Sequence, residues 1–369
     1  MHFPFCAARC SYCDFATVVG RDSDLDAYLS ALEVEIERRQ DGLPSTVDTL
    51  YLGGGTPSRL EAEHIDRVIR AVRRRFDLLA DAEITLEGNP ESLTAERLSG
   101  YRDAGVSRVS VGVQSLDDRV LKRAGRAHDA EQALAAVSRV RASGVAEVNV
   151  DLIAGLPGED LGAWGATIEA AADLAPDHIS VYLLETDKNT PLTRALAAGR
   201  TSVADDDLLA QAYLRTVELL EARGLAAYEI SNFALPEHRS RHNLKYWTDA
   251  EYGGFGLGAH AYFGGRRRAN RKDLDGYVTA LRGGGDPVEW EDPWDPARRV
   301  AEAVVMGLRL AEGADLAELG ARYDTDLATT HRAAWERAEA AGLIAWSGTR
   351  VALTPWGRLR SNELFAELI

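Results

Sequence analysis

Val47-Asp48-Thr49-Leu50-Tyr51-Leu52 reads as a β-strand, and it runs without interruption into the turn Gly53-Gly54-Gly55-Thr56-Pro57. Upstream, Leu25, Leu29, Leu32 and Ile36 recur at helical spacing and predict a helix over 24–40. Downstream, Ile65, Val68, Ile69, Val72 and Phe76 mark the inward stripe of a second helix. The alternation continues with strands over 83–87, 108–113, 147–153 and 178–184 and helices over 94–104, 129–143 and 160–173. Strands separated by helices of about 10 to 15 residues imply parallel βαβ units with right-handed crossovers, an α/β fold. The strands look largely apolar, with polar residues at their C-terminal ends: Gly53 to Thr56, Glu87, Asn89, Gln114, Asp151 and Glu185. Parallel sheets and barrels bind ligands at that edge. At any single position a helix cap or satisfied loop explains the residue equally well; repetition from strand to strand favours a site.

All three cysteines of the chain lie in His2-Phe3-Pro4-Phe5-Cys6-Ala7-Ala8-Arg9-Cys10-Ser11-Tyr12-Cys13-Asp14-Phe15. Cys6, Cys10 and Cys13 are spaced C-x-x-x-C-x-x-C. Three thiolates on one loop can each hold one iron of a [4Fe–4S] cubane and leave the fourth iron open to an outside ligand. Zinc is the alternative, with His2 completing a Cys₃His set, although zinc sites usually draw on two separated ligand pairs. A disulfide framework fits poorly, because three is odd and a chain of this size needs no staples. Three inert cysteines clustered by chance is the remaining reading.

The 369 residues are 46% apolar and 27% charged, a composition that gives no reason to expect disorder and leaves room for a large α/β domain plus a smaller one. A formal charge of −16 argues against a nucleic-acid partner, since phosphate binding needs concentrated Lys and Arg. The run Arg266-Arg267-Arg268 reads as a solvated loop. No apolar run approaches the length of a membrane-spanning helix, so no integral membrane segment is expected. Free cysteines with no export signal ahead of Cys6 point to the cytoplasm.

The cysteine spacing, the Gly-Gly-Gly-Thr-Pro strand end, Glu87-Gly88-Asn89-Pro90, Gly112-Val113-Gln114 and Asp151-Leu152-Ile153-Ala154-Gly155-Leu156-Pro157 together resemble a radical S-adenosylmethionine (SAM) protein. The resemblance is to the branch containing oxygen-independent coproporphyrinogen III oxidase and the HemW-type haem chaperones, and it runs over essentially the whole chain. It implies a partial (β/α)6 TIM-like barrel with the cluster loop near its top and SAM across the strand ends. By the same likeness Cys6, Cys10 and Cys13 hold the cluster, and Gly54, Gly55 and Thr56 lie against the methionine moiety of SAM. Glu87 is then an acidic SAM contact, Gln114, Arg126 and Asp151 are further polar contacts, and Tyr12 sits beside the adenine. In such proteins an electron from the cluster cleaves an S–C bond of SAM, chemistry that belongs to the cofactor.

Two departures stand out. Members of the family carry a Tyr two residues before the His of His-x-Pro-Phe-Cys, whereas here His2 almost begins the sequence, so the first strand is expected to be nearly absent. The oxidase branch also has a fourth cysteine two positions after the third. Phe15 stands there instead, which goes with the chaperone branch and makes the porphyrin-modifying oxidase the second reading.

Further on, Leu208, Ala212, Tyr213, Val217 and Leu220 predict a helix and Tyr228-Glu229-Ile230 a short strand. Arg241-His242-Asn243-Leu244-Lys245-Tyr246-Trp247 is similar to the His-Asn-x-x-Tyr-Trp segment of the haem chaperones, in which the histidine is implicated in haem ligation. Outside that context such a histidine is commonly a hydrogen-bonding core residue. The segment Tyr252-Gly253-Gly254-Phe255-Gly256-Leu257-Gly258-Ala259-His260 lacks the context of a dinucleotide fingerprint. It predicts a close backbone approach to a cofactor cavity, with His260 facing it.

Gly283-Gly284-Gly285-Asp286-Pro287 and Asp292-Pro293-Trp294-Asp295-Pro296 read as a linker. The chain then divides into a barrel (1–190), an extension carrying the His-Asn-x-x-Tyr-Trp segment (191–285) and a C-terminal winged-helix-like domain (296–369). Helices are expected there near 297–312, 315–323 and 326–341, followed by a hairpin around 347–349 and a last helix after Pro355. Asp324, Asp326, Glu336 and Glu339 at its recognition position weigh against DNA and favour a lid or protein-interaction role. As partners the resemblance implies haem and acceptor haemoproteins, membrane-associated respiratory enzymes among them, and it leaves a homodimer open.

Overall fold

The computed structural model describes residues 1–39, 42, 44–293 and 295–369. Six parallel strands stand side by side in chain order: β1 (His2–Phe3), β2 (Thr46–Gly54), β3 (Asp77–Gly88), β4 (Arg108–Gln114), β5 (Glu147–Ala154) and β6 (His178–Leu183). Two short antiparallel strands, β7 (Ala226–Ala227) and β8 (Asn232–Ala234), extend the sheet beyond β6. Helices α1 (Leu25–Arg38), α2 (Ala62–Arg75), α3 (Ala95–Ala104), α4 (Asp118–Ala124), α5 (Ala130–Ala142) and α6 (Leu161–Asp173) fill the crossovers. This is the open (β/α)6 half-barrel expected from the strand–helix alternation. Of the helix expected over 24–40, residue 40 lies outside the described residues, as does Trp294 of the linker.

The strands are not uniformly apolar. Leu50, Leu52, Ile84, Leu86, Val109, Val111, Val148, Val150, Ile179 and Val181 are buried in the apolar core. The residues alternating with them, Thr49, Glu83, Thr85, Ser110, Asn149, His178 and Ser180, are buried too. Successive strand side chains point to opposite faces, so the half-barrel has one apolar face and a polar face along its whole length, not only at its rim. Hydrogen bonding makes that burial tolerable. Asp151 Oδ2 accepts from Ser110 Oγ at 2.5 Å, and Asn149 Nδ2 donates to Asp151 Oδ1 at 2.8 Å and to Ser180 Oγ at 3.0 Å. His178 Nδ1 and Nε2 lie 2.6 Å from Asn149 Oδ1 and 2.9 Å from Tyr228 Oη.

β1 is short but paired, His2 with Gly53 and Phe3 with Gly54. Its outer side is occupied by the glycine segment, where the His2 amide donates to the Phe255 carbonyl at 2.9 Å. Gly256 adopts φ +96°, and a Cβ there would stand 2.5 Å from the His2 carbonyl oxygen and from Tyr28 Oη, so only glycine permits the approach.

Several local expectations are revised. Tyr228-Glu229-Ile230 is not a strand; it turns between β7 and β8, and Glu229 makes only an isolated bridge to Leu310. The Arg266-Arg267-Arg268 run is not a loop but part of the strand Arg266–Asn270, between His260–Phe263 and Val288–Glu291 in a three-stranded sheet. Opposite charge on the adjacent elements makes this possible: Arg266 and Arg268 pair with Glu291, and Arg267 with Glu302. Val288–Glu291 therefore interrupts what reads as linker. The C-terminal part combines helices Pro296–Leu308, Leu316–Tyr323 and Arg332–Ala340 with the hairpin Ile344–Ser347/Arg350–Leu353, around a core of its own. The helix expected over 326–341 is split at His331, with Asp326 capping its first piece and Asp324 ending the preceding helix, so of the four acidic residues only Glu336 and Glu339 lie on the recognition-position helix.

Candidate functional site

The cysteine loop sits over the C-terminal ends of the strands and is fastened from below. The Ser11 amide donates to the Ala124 carbonyl at the end of α4, at 3.1 Å, and the Leu192 amide donates to the Ser11 carbonyl at 2.8 Å. Cys6, Cys10 and Cys13 are free thiols of intermediate exposure. Burial pushes the Cys6 thiol up, partly offset by its bond from Thr56, and burial likewise pushes up Cys13. Among the described residues no three His, Cys, Asp or Glu side chains converge as a single-ion site. His2 does not join the cysteines: its Nε2 lies 3.0 Å from the Ala16 carbonyl and its ring packs on Gly54.

Around this loop the structure brings together four of the residues singled out in the sequence. Thr56 Oγ1 lies 3.5 Å from Cys6 Sγ, and Arg126 Nη1 lies 3.5 Å from Cys10 Sγ. Asn89 joins the two, donating to Thr56 at 3.4 Å and accepting from Arg126 Nη2 at 2.9 Å. Tyr12 packs beside α4 against a small apolar cluster with Val120, Ala124 and Leu156, and burial raises its phenol pKa. Arg126 also donates to the Gly112 carbonyl at 2.8 Å, while its buried Nε finds no acceptor among the described residues. Desolvation works against its charge, yet Tyr12, Cys10 and Glu91 leave the guanidinium pKa raised. A buried cation with a spare donor beside Cys10 is suited to an anionic group there. Three thiols, that cation and an open strand edge fit an iron–sulfur cluster with an anionic ligand.

Gln114 ends β4 with φ +69°, an uncommon conformation for a non-glycine residue, next to the Arg126-bonded Gly112. Asp151 lies deeper, within the Ser110–Asn149–Ser180 network. At Gly54 and Gly55 the packing of the chain itself requires glycine. A Cβ on Gly54 would stand 2.7 Å from the His2 ring, and one on Gly55 2.8 Å from the Phe3 and Pro4 carbonyls, so they let the stem of the cysteine loop cross the strand end.

Glu87 faces a second region, a cavity of about 530 Å³ whose wall includes His2, Phe15, Tyr51, Glu87, His242 and His260. Glu87 accepts from Tyr51 Oη at 2.7 Å and from the Gly54 amide at 2.9 Å. Burial nevertheless pushes its carboxyl up to about 7. The His-Asn-x-x-Tyr-Trp segment is the helix Arg241–Trp247, begun by Ser240 and anchored by the buried Glu83 carboxylate, which accepts from the amides of Arg241 at 2.7 Å and His242 at 3.0 Å. A carboxylate at a helix N-terminus satisfies orphan donors and opposes the dipole. His242 stacks on Tyr51 with ring centroids 5.2 Å apart; its Nδ1 lies 2.9 Å from Thr49 Oγ1 and its Nε2 3.0 Å from Tyr246 Oη. Burial, reinforced by nearby cations, pushes it down to about 3, so the imidazole is neutral. Sequence reasoning missed Thr49, Tyr51 and Glu83, which position His242 and Glu87. Thr49 and Tyr51 alternate with Leu50 and Leu52 in β2, a period-two pattern visible in the sequence.

A parallel half-barrel with three loop cysteines over its strand ends is the architecture of the radical SAM class. Residues 1–171 match the Radical SAM superfamily and residues 295–360 the HemN C-terminal domain. The chain is 39% identical to the heme chaperone HemW of Mycobacterium tuberculosis, spanning 100% of this chain and 94% of that protein. It is 33% identical to HemW of Bacillus subtilis, over 100% and 98%. The solved coproporphyrinogen III oxidase HemN of Escherichia coli superimposes with a TM-score of 0.86 over 100% of this chain and 88% of that one, at 24% identity, and establishes the fold. The chain belongs to the HemW family of the radical SAM superfamily. That superfamily implies a [4Fe–4S] cluster and SAM. No helix among the described residues is long and apolar enough to cross a membrane.

Proposed function

We propose that this protein is a haem chaperone that binds a [4Fe–4S] cluster, SAM and haem and delivers haem to acceptor haemoproteins in the cytoplasm or at its membrane face. Cys6, Cys10 and Cys13 would hold the cluster, which supplies an electron when bound. Tyr12, Gly54, Gly55, Thr56, Glu87, Gln114, Arg126 and Asp151 would hold SAM, and the 191–285 part with His242 would hold haem beside it. The domain 296–369 would act as a lid or docking element for acceptors. The observation that carries the haem reading is the cavity in front of His242: aromatic rings of Phe15, Tyr51, Tyr246 and Tyr252 share its wall with neutral imidazoles, and about 530 Å³ falls in the range of cofactor pockets. Phe15, exposed on that wall, leaves no fourth thiol where the oxidase has one. The cluster-loaded protein is expected to bind haem and to leave coproporphyrinogen unaltered in the presence of SAM and a reductant. Robust decarboxylation of coproporphyrinogen would overturn the chaperone reading in favour of the oxidase.

Glu87 gives this reading a pH signature. As a contact for the SAM ammonium it must be ionised, and with its carboxyl at about 7 it is increasingly protonated below that pH. SAM affinity is therefore expected to fall by up to about tenfold per pH unit between pH 7 and 5.5. Glu87→Gln should bind SAM weakly with a flat profile over the same range, measured by equilibrium dialysis. A flat profile in the unaltered protein would take Glu87 out of the ammonium contact.

A further inference from the structure

We infer that His260, not His242, supplies the imidazole that ligates haem iron in this cavity. The inference rests on the haem reading above and sharpens it to one side chain. An imidazole binds iron through a nitrogen lone pair, and a neutral ring has one lone pair and one N–H. Both ring nitrogens of His242 face hydroxyls, Thr49 Oγ1 at 2.9 Å and Tyr246 Oη at 3.0 Å, so whichever tautomer is present its lone pair receives a hydrogen bond. The ring is also held between Tyr51 and Tyr246. Ligation through His242 would require breaking one of those part-buried hydrogen bonds, to Thr49 or to Tyr246, and moving the hydroxyl aside. His2, the third imidazole on the wall, is bonded to the Ala16 carbonyl through Nε2.

His260 differs in each respect. It is exposed on the cavity wall, and its ring makes no hydrogen bond among the described residues. Its backbone is fixed: His260 begins the strand His260–Phe263, pairs with Ala269, and packs so tightly on Gly254 that any side chain at 254 would collide with the His260 carbonyl. The backbone is thus placed at the cavity wall, and the ring's lone pair is not taken up by a hydrogen bond among the described residues. Desolvation, then the cations Lys272 and Arg267, depress its pKa, which keeps a lone pair available at neutral pH. Lys272 makes no ion pair among the described residues, and a porphyrin carries propionate carboxylates that a cation on this rim would meet.

The test uses the full-length, cluster-loaded chain with ferrous haem and reads the iron–imidazole stretching band by resonance Raman spectroscopy, together with the rate of haem loss to excess apomyoglobin. His260→Ala is expected to lose the band and release haem at least about tenfold faster, and excess free imidazole should restore the band, which also shows that the variant is folded. His242→Leu is expected to keep the band. Persistence of the band in His260→Ala, its loss only in His242→Leu, failure of imidazole to restore it, or haem bound without any imidazole band in the unaltered protein would overturn the inference and leave the chaperone reading standing. An unaltered protein that binds no haem would overturn both.

Discussion

Cys10→Ala is expected to abolish cluster assembly, while the unaltered protein takes up about four irons and four sulfides per chain on anaerobic reconstitution. Among the three thiols Cys10 is the one beside Arg126, whose guanidinium is 3.5 Å from its sulfur and has a buried donor to spare. Removing it would delete one of the three proposed cluster ligands and the sulfur that Arg126 Nη1 faces. The fold should survive, because the loop lies over the strand ends with its cysteines part-exposed, and it is held by backbone bonds from Ser11 and Leu192 that the substitution leaves untouched. Iron and sulfide analysis, visible absorption and far-ultraviolet circular dichroism separate the two effects. Stoichiometric zinc without visible absorption in the unaltered protein would overturn the cluster assignment, and a Cys10→Ala protein retaining the full iron content would remove Cys10 from it.

The half-barrel was legible because its helices and strands differ in apolar period, and covered parallel strands need core residues on the helix-facing side. Leu50 and Leu52, Val109 and Val111, and Val148 and Val150 mark it plainly. The other half of the same alternation, Thr49, Tyr51, Ser110 and Asn149, was equally present but was masked by the richer polar content at the strand tips. The cysteine loop, Arg126 and Glu87 were legible from motifs; their grouping was not, since Arg126 reaches Cys10 across 116 residues of sequence and Glu87 faces a different cavity. The Arg266-Arg267-Arg268 run reads as a solvated loop because its counter-charges are distant in sequence, whereas Glu291 and Glu302 on neighbouring elements neutralise it in a sheet. Nor could spacing alone reveal that both nitrogens of the His242 ring are engaged: Tyr246 is its i+4 neighbour on the same helix, but Thr49 comes from a strand 193 residues away in the chain.

Replacing Glu35 with Leu is expected to cost about 3–5 kcal/mol of stability, the range for removing one partner from a buried charge-assisted network. Glu35 sits on α1, almost wholly buried, and its carboxylate gathers four donors. Arg39 Nη2 lies 3.0 Å and Asn270 Nδ2 2.7 Å from Oε1, while the Gly256 amide lies 2.7 Å and Tyr277 Oη 2.6 Å from Oε2. Arg39 directly follows α1, and the other three donors come from the glycine segment, the strand carrying Arg266–Asn270 and the helix Leu274–Arg282, so this one carboxylate ties the segment bearing His260 to α1. Leucine fills the volume but accepts nothing, leaving the buried Asn270, Gly256 and Tyr277 donors unpaired. Glu35→Gln offers only one acceptor oxygen and turns an amide toward the remaining donors, so it should fall between the two. Denaturant unfolding followed by circular dichroism measures the loss, and a shift under about 1 kcal/mol for Glu35→Leu would show that the network contributes little. Because Gly254 and Gly256 pack on the His260 carbonyl and on the His2 carbonyl respectively, loosening this carboxylate should also loosen the haem-side wall. Haem should then leave the folded fraction of Glu35→Gln faster than it leaves the unaltered protein, even where circular dichroism finds the barrel intact.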